Sequence, residues 1–454
     1  MFDTEEVRIW ERRSLALDTI GDALFLLFAR DHAPLSERLQ AIAGRLEAVP
    51  AYLAQARTIP QEPQVRLWQR LAIQTAGQLP SFFDELVASA DGVVGDSDVR
   101  RIERASGAAK IAVAEYRGWV EESLADGTDA WQLGRERHDA LVGLRAFDGL
   151  DADAILELGR EQLAIEREAR AAAARDVDPD ANEEVVIDRI KSDHPATFEA
   201  ALEAYREAMD RARAHLVDRD LVTIPERERI EVIETPSYLR NVLPFAAYFE
   251  PAKFDPSPKG IYIVTRSVDG DPGSMREHNF ASISNTSIHE AYPGHHLQLS
   301  AASAHPSLTR LLADAPEFVE GWGMYVELMM REHGFDDGPR YRVMLHTDAV
   351  WRAVRIICDV LMHRGELSVD EAARFMVEQT GFEEPNARSE VQWYTYRPTY
   401  PMSYLLGRTL LISLRASEQQ RLGDAFDLKR FHDTLMRNGS LPISFHRRLL
   451  TGAA

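Results

Sequence analysis

Ser287-Ile-His289-Glu290-Ala-Tyr-Pro293-Gly294-His295-His296-Leu-Gln298 is the most informative stretch of the chain. Helical texture surrounds it, a His-Glu pair opens it, and Pro-Gly interrupts it. A zinc peptidase sets two His one helical turn apart so that both reach one ion. A Glu beside the first His takes a proton from the bound water. Here the position four residues after His289 is Pro293, so the strict spacing is absent. Proline removes a backbone hydrogen bond and clashes with the preceding turn, so a regular helix must break there. A two-residue insertion at such a break swings His295 back towards His289. On an unbroken helix His296 would share a face with His289 but lie two turns on, roughly 10 Å away, too far to share an ion. The expected ligands are therefore His289 and His295, with His295 favoured over His296 and Glu290 as general base.

A third ligand should be a carboxylate on a following helix. Phe318-Val-Glu320-Gly-Trp-Gly-Met-Tyr-Val-Glu327 supplies Glu320. This segment resembles the Glu-Gly-Phe-Ala-x-Tyr stretch that carries the third zinc ligand in metallo-aminopeptidases of the gluzincin group. Gly321 and Gly323 suit a helix packed tightly against the His-bearing one. Glu327, two turns further along the same face, can orient a ligand or form a surface ion pair.

These two segments resemble the bacterial domain of unknown function 885 family and, through it, the gluzincin metallopeptidases. Arg352-Ala-Val-Arg355, Asp359, His363, Glu390-Val391, Tyr394, Pro398, Ser403-Tyr404 and Gly407 extend the resemblance, and Val49-Pro-Ala-Tyr-Leu53 carries it weakly towards the N-terminus. The resemblance implies a mainly α, two-lobed metallopeptidase-like architecture, with a deep channel over the metal. It implies no particular substrate. The chain departs from the family pattern at Trp393, where an Arg is common, and at Tyr400-Pro401, where Gln-Ala is common. Those positions are expected to touch substrate or shape the pocket.

Amide hydrolysis also needs a donor for the developing oxyanion. Tyr404 and Tyr394 are the candidates, Tyr404 favoured by its family position. Asp359 and His363 stand at i and i+4 and can pair on one helix face. That makes His363 a further catalytic candidate, although a purely structural pair serves equally. Arg352 and Arg355, with Arg397, are candidate substrate binders. A fixed guanidinium grips a carboxylate bidentately, as an exopeptidase requires, and a buried Arg can equally hold elements together. No Gly-x-Ser-x-Gly elbow occurs, and Cys358 lies in an apolar helical run, so Ser or Cys nucleophiles are unsupported.

Outward from this region the texture sorts the chain into three parts. Residues 1–227 are expected to form a helical N-terminal lobe. Leu35, Leu39, Ile42, Leu46 and Val49 recur at helical spacing. Asp151 to Asp176 is rich in helix formers, and Asp176 to Asn182 reads as a turn. The Ala-Arg run from Arg170 to Arg175 reads as a solvated helix. Residues 228–284 should hold a small β-sheet near the active site, with strands at Arg229–Glu234 and Gly260–Thr265. Residues 285–454 should be the helical catalytic lobe.

Lys and Arg number 52 against 73 Asp and Glu, a net charge of −21. So acidic a chain, with no basic run, is a poor partner for nucleic acid. A single cysteine permits no internal disulfide. The acidic Met1-Phe-Asp-Thr-Glu-Glu6 start is unlike a signal peptide, and no apolar run reaches membrane-spanning length. The expectation is a soluble cytoplasmic zinc hydrolase acting on peptide or amide bonds of small substrates. Its rival is a catalytically weak or inactive relative that binds metal or peptide.

Overall fold

The computed structural model describes residues 2–60, 62–145, 147–236, 239–240, 243, 245–254, 258–266 and 274–452. The chain divides into two compact units, Met1–Trp131 with Thr235–Leu243, and Gln132–Glu234 with Pro244–Ala454. The expected divisions at 227/228 and 284/285 both fall inside the second unit.

Among the helices of the first unit are α1 (Ala16–Ala29), α2 (Leu35–Ala56), α3 (Arg66–Ala88) and α4 (Asp96–Ser123). The stripe read from the sequence is buried on α2 from Leu39 through Val49 and continues to Leu53, while Leu35 stays half-buried. It packs on α4, where Ile102, Ala109, Val113 and Tyr116 are buried, and α3 packs on α4 too, with Leu79, Phe82 and Phe83 buried.

The second unit holds the three-stranded sheet and the remaining helices used below. Helix α5 (Ala152–Val177) starts where the Asp151 carboxylate accepts from the Ala154 N–H. Helices α6 (Glu183–Ser192) and α7 (Phe198–Arg219) are capped in the same way by Asn182 and Thr197. The end of α5 corrects the reading of the Ala-Arg run as solvated. Arg170, Ala173 and Ala174 are buried, the two alanines pack with Val186, Ile190, Val343 and Met344, and Arg170 is paired to Glu183 at 2.5 Å. Alanine's small side chain lets α6 lie close, and only one Arg needs a partner.

Strands β1 (Ile230–Glu234), β2 (Ala246–Phe249) and β3 (Gly260–Val264) have the order β1-β3-β2, with β1 parallel and β2 antiparallel to β3. Val232 and Tyr248 both face Tyr262 in the register. The central strand is buried along its length, so it reads as a continuous apolar run. Strand β2 went unread in the sequence: it is short, half-buried and begins with two alanines, which carry little strand signal.

Then come α8 (Phe280–Glu290), α9 (His295–Ala302), α10 (Pro316–Glu332), α11 (Pro339–His363), α12 (Val369–Thr380), α13 (Glu384–Tyr394), α14 (Ser403–Leu422) and α15 (Leu428–Arg437). Helix α10 is buried almost all round, from Phe318 and Trp322 on one side to Met324 and Met329 on another. It runs against α14, while α11 runs against α5, and α8 touches α7, α10 and α11. This places the His-bearing helix between the two that carry Glu320 and Arg352. No helix among the described residues is long and apolar enough to cross a membrane.

Candidate metal centre

Helix α8 is started by Asn279, whose side chain accepts from the Ser282 N–H, and it ends at Glu290. The chain then passes through Pro293-Gly294 and restarts as α9 at His295. The break is held from several sides. Gly294 N–H donates to the Ile288 carbonyl at 3.0 Å, Leu297 N–H to Ala291 at 3.3 Å, and the Trp322 indole to the Pro293 carbonyl at 2.8 Å. A Cβ on Gly294 would lie 1.8 Å from the His289 carbonyl oxygen, so only glycine fits.

The consequence is convergence. One ligand atom from each of His289, His295 and Glu320 lies within 4.8 Å of the others, and all three residues are buried. His295 Nε2 stands 3.3 Å and His289 Nε2 3.7 Å from Glu320 Oε2. The two imidazoles meet edge to face, with centroids 4.7 Å apart. His296, on the same turn, points away: its Nε2 is 2.7 Å from Glu228 Oε2 and its Nδ1 2.9 Å from the Tyr248 hydroxyl on β2. Glu228 also accepts from Tyr292 and pairs with Arg213. So the sheet is tied to α9 through the histidine that stays outside the cluster.

Two of the three candidate ligands, His289 and Glu320, are oriented by a further polar group. Glu327 Oε1 accepts from His289 Nδ1 at 2.6 Å, which turns Nε2 towards Glu320 and His295. The other Glu327 oxygen accepts from Asn285 at 2.8 Å, and Asn285 also donates to Asp348 at 2.7 Å. Glu320 Oε1 accepts from the Tyr400 hydroxyl at 2.6 Å. Glycine again makes room, since a Cβ on Gly323 would meet the His289 ring at 2.6 Å. Gly321 does something other than the sequence suggested: it faces Gly407 on α14, and its Cβ would lie 2.5 Å from that backbone.

The electrostatics couple the imidazoles and carboxylates closely. Burial opposes the His289 imidazolium, but hydrogen bonds and charge from Glu320 and Glu327 outweigh it and hold the pKa up at about 10. Burial likewise opposes the Glu320 carboxylate, and the charges of His295 and His289 hold it well below its usual range. Glu290 beside them is raised, chiefly by burial. Asp348 is pushed up to about 6 by burial, with the Glu327 charge adding to the effect. Two imidazoles and a carboxylate, with a buried acid network behind them, match the donor set of a divalent transition metal such as zinc.

The other residues singled out in the sequence are placed as follows. Tyr404 stacks on His289, with centroids 6.3 Å apart and planes 15° from parallel. Tyr394 is fully buried and gives its hydroxyl to Glu390 at 2.9 Å. Arg355 donates to the same carboxylate through Nε and Nη2. His363 bonds the Tyr394 carbonyl at 3.0 Å and stacks on His138, and burial pushes its pKa down to about 4, leaving it neutral. Asp359 Oδ1 accepts from the Thr399 N–H. Arg397 is exposed. Arg352 and Arg355 both lie beside Tyr404, with Cζ 5.9 Å and 4.5 Å from its ring centroid. Cys358 is buried and free, as its apolar setting predicted. Asn285, Asp348 and Glu228 went unread because the bonds that tie them into this network span 42 to 68 residues, although Asp348 also pairs with Arg352 one turn away.

The family model described as "Bacterial protein of unknown function (DUF885)" matches residues 2–450. No protein of curated function matches the chain. Two solved structures share the fold, each named a "putative lipoprotein". The one from Shewanella oneidensis is 22% identical with a TM-score of 0.74, over 99% of this chain and 84% of that one. The one from Colwellia psychrerythraea is 20% identical with a TM-score of 0.81, over 96% and 79%.

Proposed function

The chain belongs to the DUF885 family of bacterial proteins, and we propose that it is a zinc-dependent hydrolase of peptide or peptide-like amide bonds in small substrates. The observation that carries this reading is the convergence of His289, His295 and Glu320 with Glu290 alongside. A protein that only bound metal would need the three ligands and no fourth, unpaired carboxyl. The gluzincin likeness of the two motifs points the same way and belongs to this proposal.

A bound zinc ion would polarise the scissile carbonyl and acidify its water. The chain's own groups then do the remaining work. Glu290 takes the water proton and delivers it to the leaving amine; its raised pKa suits a group that both accepts and donates. Glu327 fixes the His289 tautomer, and Tyr400 holds Glu320 in place. Tyr404, whose hydroxyl is kept protonated by burial, donates to the oxyanion.

Protein loaded with zinc and dialysed should retain about one equivalent by elemental analysis. Glu290→Gln should keep the metal while peptide hydrolysis falls by a factor on the order of 10³. Glu320→Ala should lose the metal itself. Zinc-free protein after reconstitution, or equal metal loss in both variants, would overturn the proposal.

A further inference from the structure

Arg352 sits on α11 with its side chain 13% exposed. Its Nε and Nη1 are buried and have no hydrogen-bond partner among the described residues. The carboxylate paired with it, Asp348, is 3.6 Å away, and the other Asp348 oxygen is taken by Asn285. The Trp351 ring, its centroid 3.7 Å from the Arg352 Cζ, covers one face of the guanidinium but offers its N–H edge no acceptor, and that rigid edge matches a carboxylate. Arg355, one turn on, gives its Nε and Nη2 edge to Glu390, which leaves it no free fork for a second carboxylate through those atoms.

The surroundings of Arg352 lead to the metal ligands. Its Cζ is 5.9 Å from the Tyr404 ring centroid, and Tyr404 stacks on His289. Tyr400 stands 6.1 Å from Tyr404 and bonds Glu320, and Trp393 stands 5.4 Å from Tyr400. Tyr404, Tyr400 and Trp393 are all only half-buried. An aromatic wall thus joins the guanidinium to the cluster.

Resting on the hydrolase reading, we propose that Arg352 grips the free carboxylate of the substrate's terminal residue. Trp393, Tyr400 and Tyr404 face that residue's apolar or aromatic side chain. The substrate class is short peptides or N-acyl amino acids cut next to a C-terminal residue. In that cut the C–N bond breaks, and the water oxygen bonds to the carbonyl carbon to give an acid. The proton taken by Glu290 goes to the departing amine of the free amino acid. Arg352 is a specificity residue in this scheme.

The test is equilibrium binding by calorimetry in a Glu290→Gln background, so that no turnover intervenes. The probes are N-benzoylphenylalanine, its C-terminal amide, and N-benzoylglycine. The acid should bind at least tenfold tighter than the amide, and tighter than the glycine compound. Adding Arg352→Gln should bring the acid-to-amide ratio to about one with the amide affinity unchanged, and Arg352→Lys should restore part of the preference. Equal binding of acid and amide would overturn the inference. So would a preference that survives Arg352→Gln, which would put the carboxylate on the metal, or a loss of both ligands together. If the acid is preferred through Arg352 but the unmodified zinc protein cleaves none of a panel of N-acyl dipeptides, the hydrolase reading fails and the carboxylate site stands.

Discussion

His289 can direct one ring nitrogen at a metal only while the other is held, and Glu327 holds it at 2.6 Å. Replacing an orienting group of this kind typically costs ten- to a hundredfold in metal affinity. Glu327→Gln should therefore weaken zinc binding by about that factor, measured by competition with a chromophoric chelator. An unchanged affinity would mean that packing alone orients the ring. Gly323 makes a sharper test because its Cβ would press on the same imidazole. Gly323→Ala should abolish tight zinc binding, whereas Gly118→Ala, on α4 with open space around it, should leave zinc affinity alone and preserve or raise stability. Similar losses in both would point to a general helix effect.

Between α8 and α9 the sequence was informative because Pro and Gly act locally: each restricts or frees its own backbone, whatever the distant partners. The same locality explains why the strands at 230 and 260 were legible and why β2 was not. It also explains why the sequence left two readings open for several polar residues. Arg355, Tyr394 and His363 occupy plausible helical positions, but their partners are a carboxylate on α13 and a backbone carbonyl, and no periodicity encodes that choice. The break itself yields a prediction. His295→Ala should lower zinc affinity far more than His296→Ala does, since His296 is engaged with Glu228 and Tyr248. His296→Ala should instead reduce stability, by about 1–3 kcal/mol for the polar groups left unpaired. The reverse ranking of zinc affinities would exchange the two roles.

At the scale of the whole molecule, burial of ionisable groups sets how stability answers to pH. His446 is fully buried against Phe318, with ring centroids 4.2 Å apart, and burial pushes its pKa down to about 3. The unfolded chain takes up a proton at this residue below about pH 6.5, while the native state does so only near pH 3. Its neutral form thus contributes stability that is complete above pH 6.5 and is lost as pH falls towards 3. His446→Leu removes that linkage. Relative to the unmodified protein, the variant should gain about 1.4 kcal/mol per pH unit between 6.5 and 4. Paired urea titrations at pH 7.5 and 5.0 would show it, and a pH-independent difference would refute it.

The contact of Gly321 with Gly407 has a mechanical consequence. Two backbones that touch form a fulcrum, and α14 is a lever resting on it. Tyr404 lies three residues from that point, about 4.5 Å along the axis, whereas Leu422 lies about 22 Å away. A tilt of about 10° that swings the far end by roughly 4 Å would carry the Tyr404 backbone by under about 1 Å. Glu320, next to the other glycine, is closer still to the pivot. Disturbances at the distal end of α14 therefore reach the ligands geared down several-fold, which is what a centre that must hold atoms in register requires.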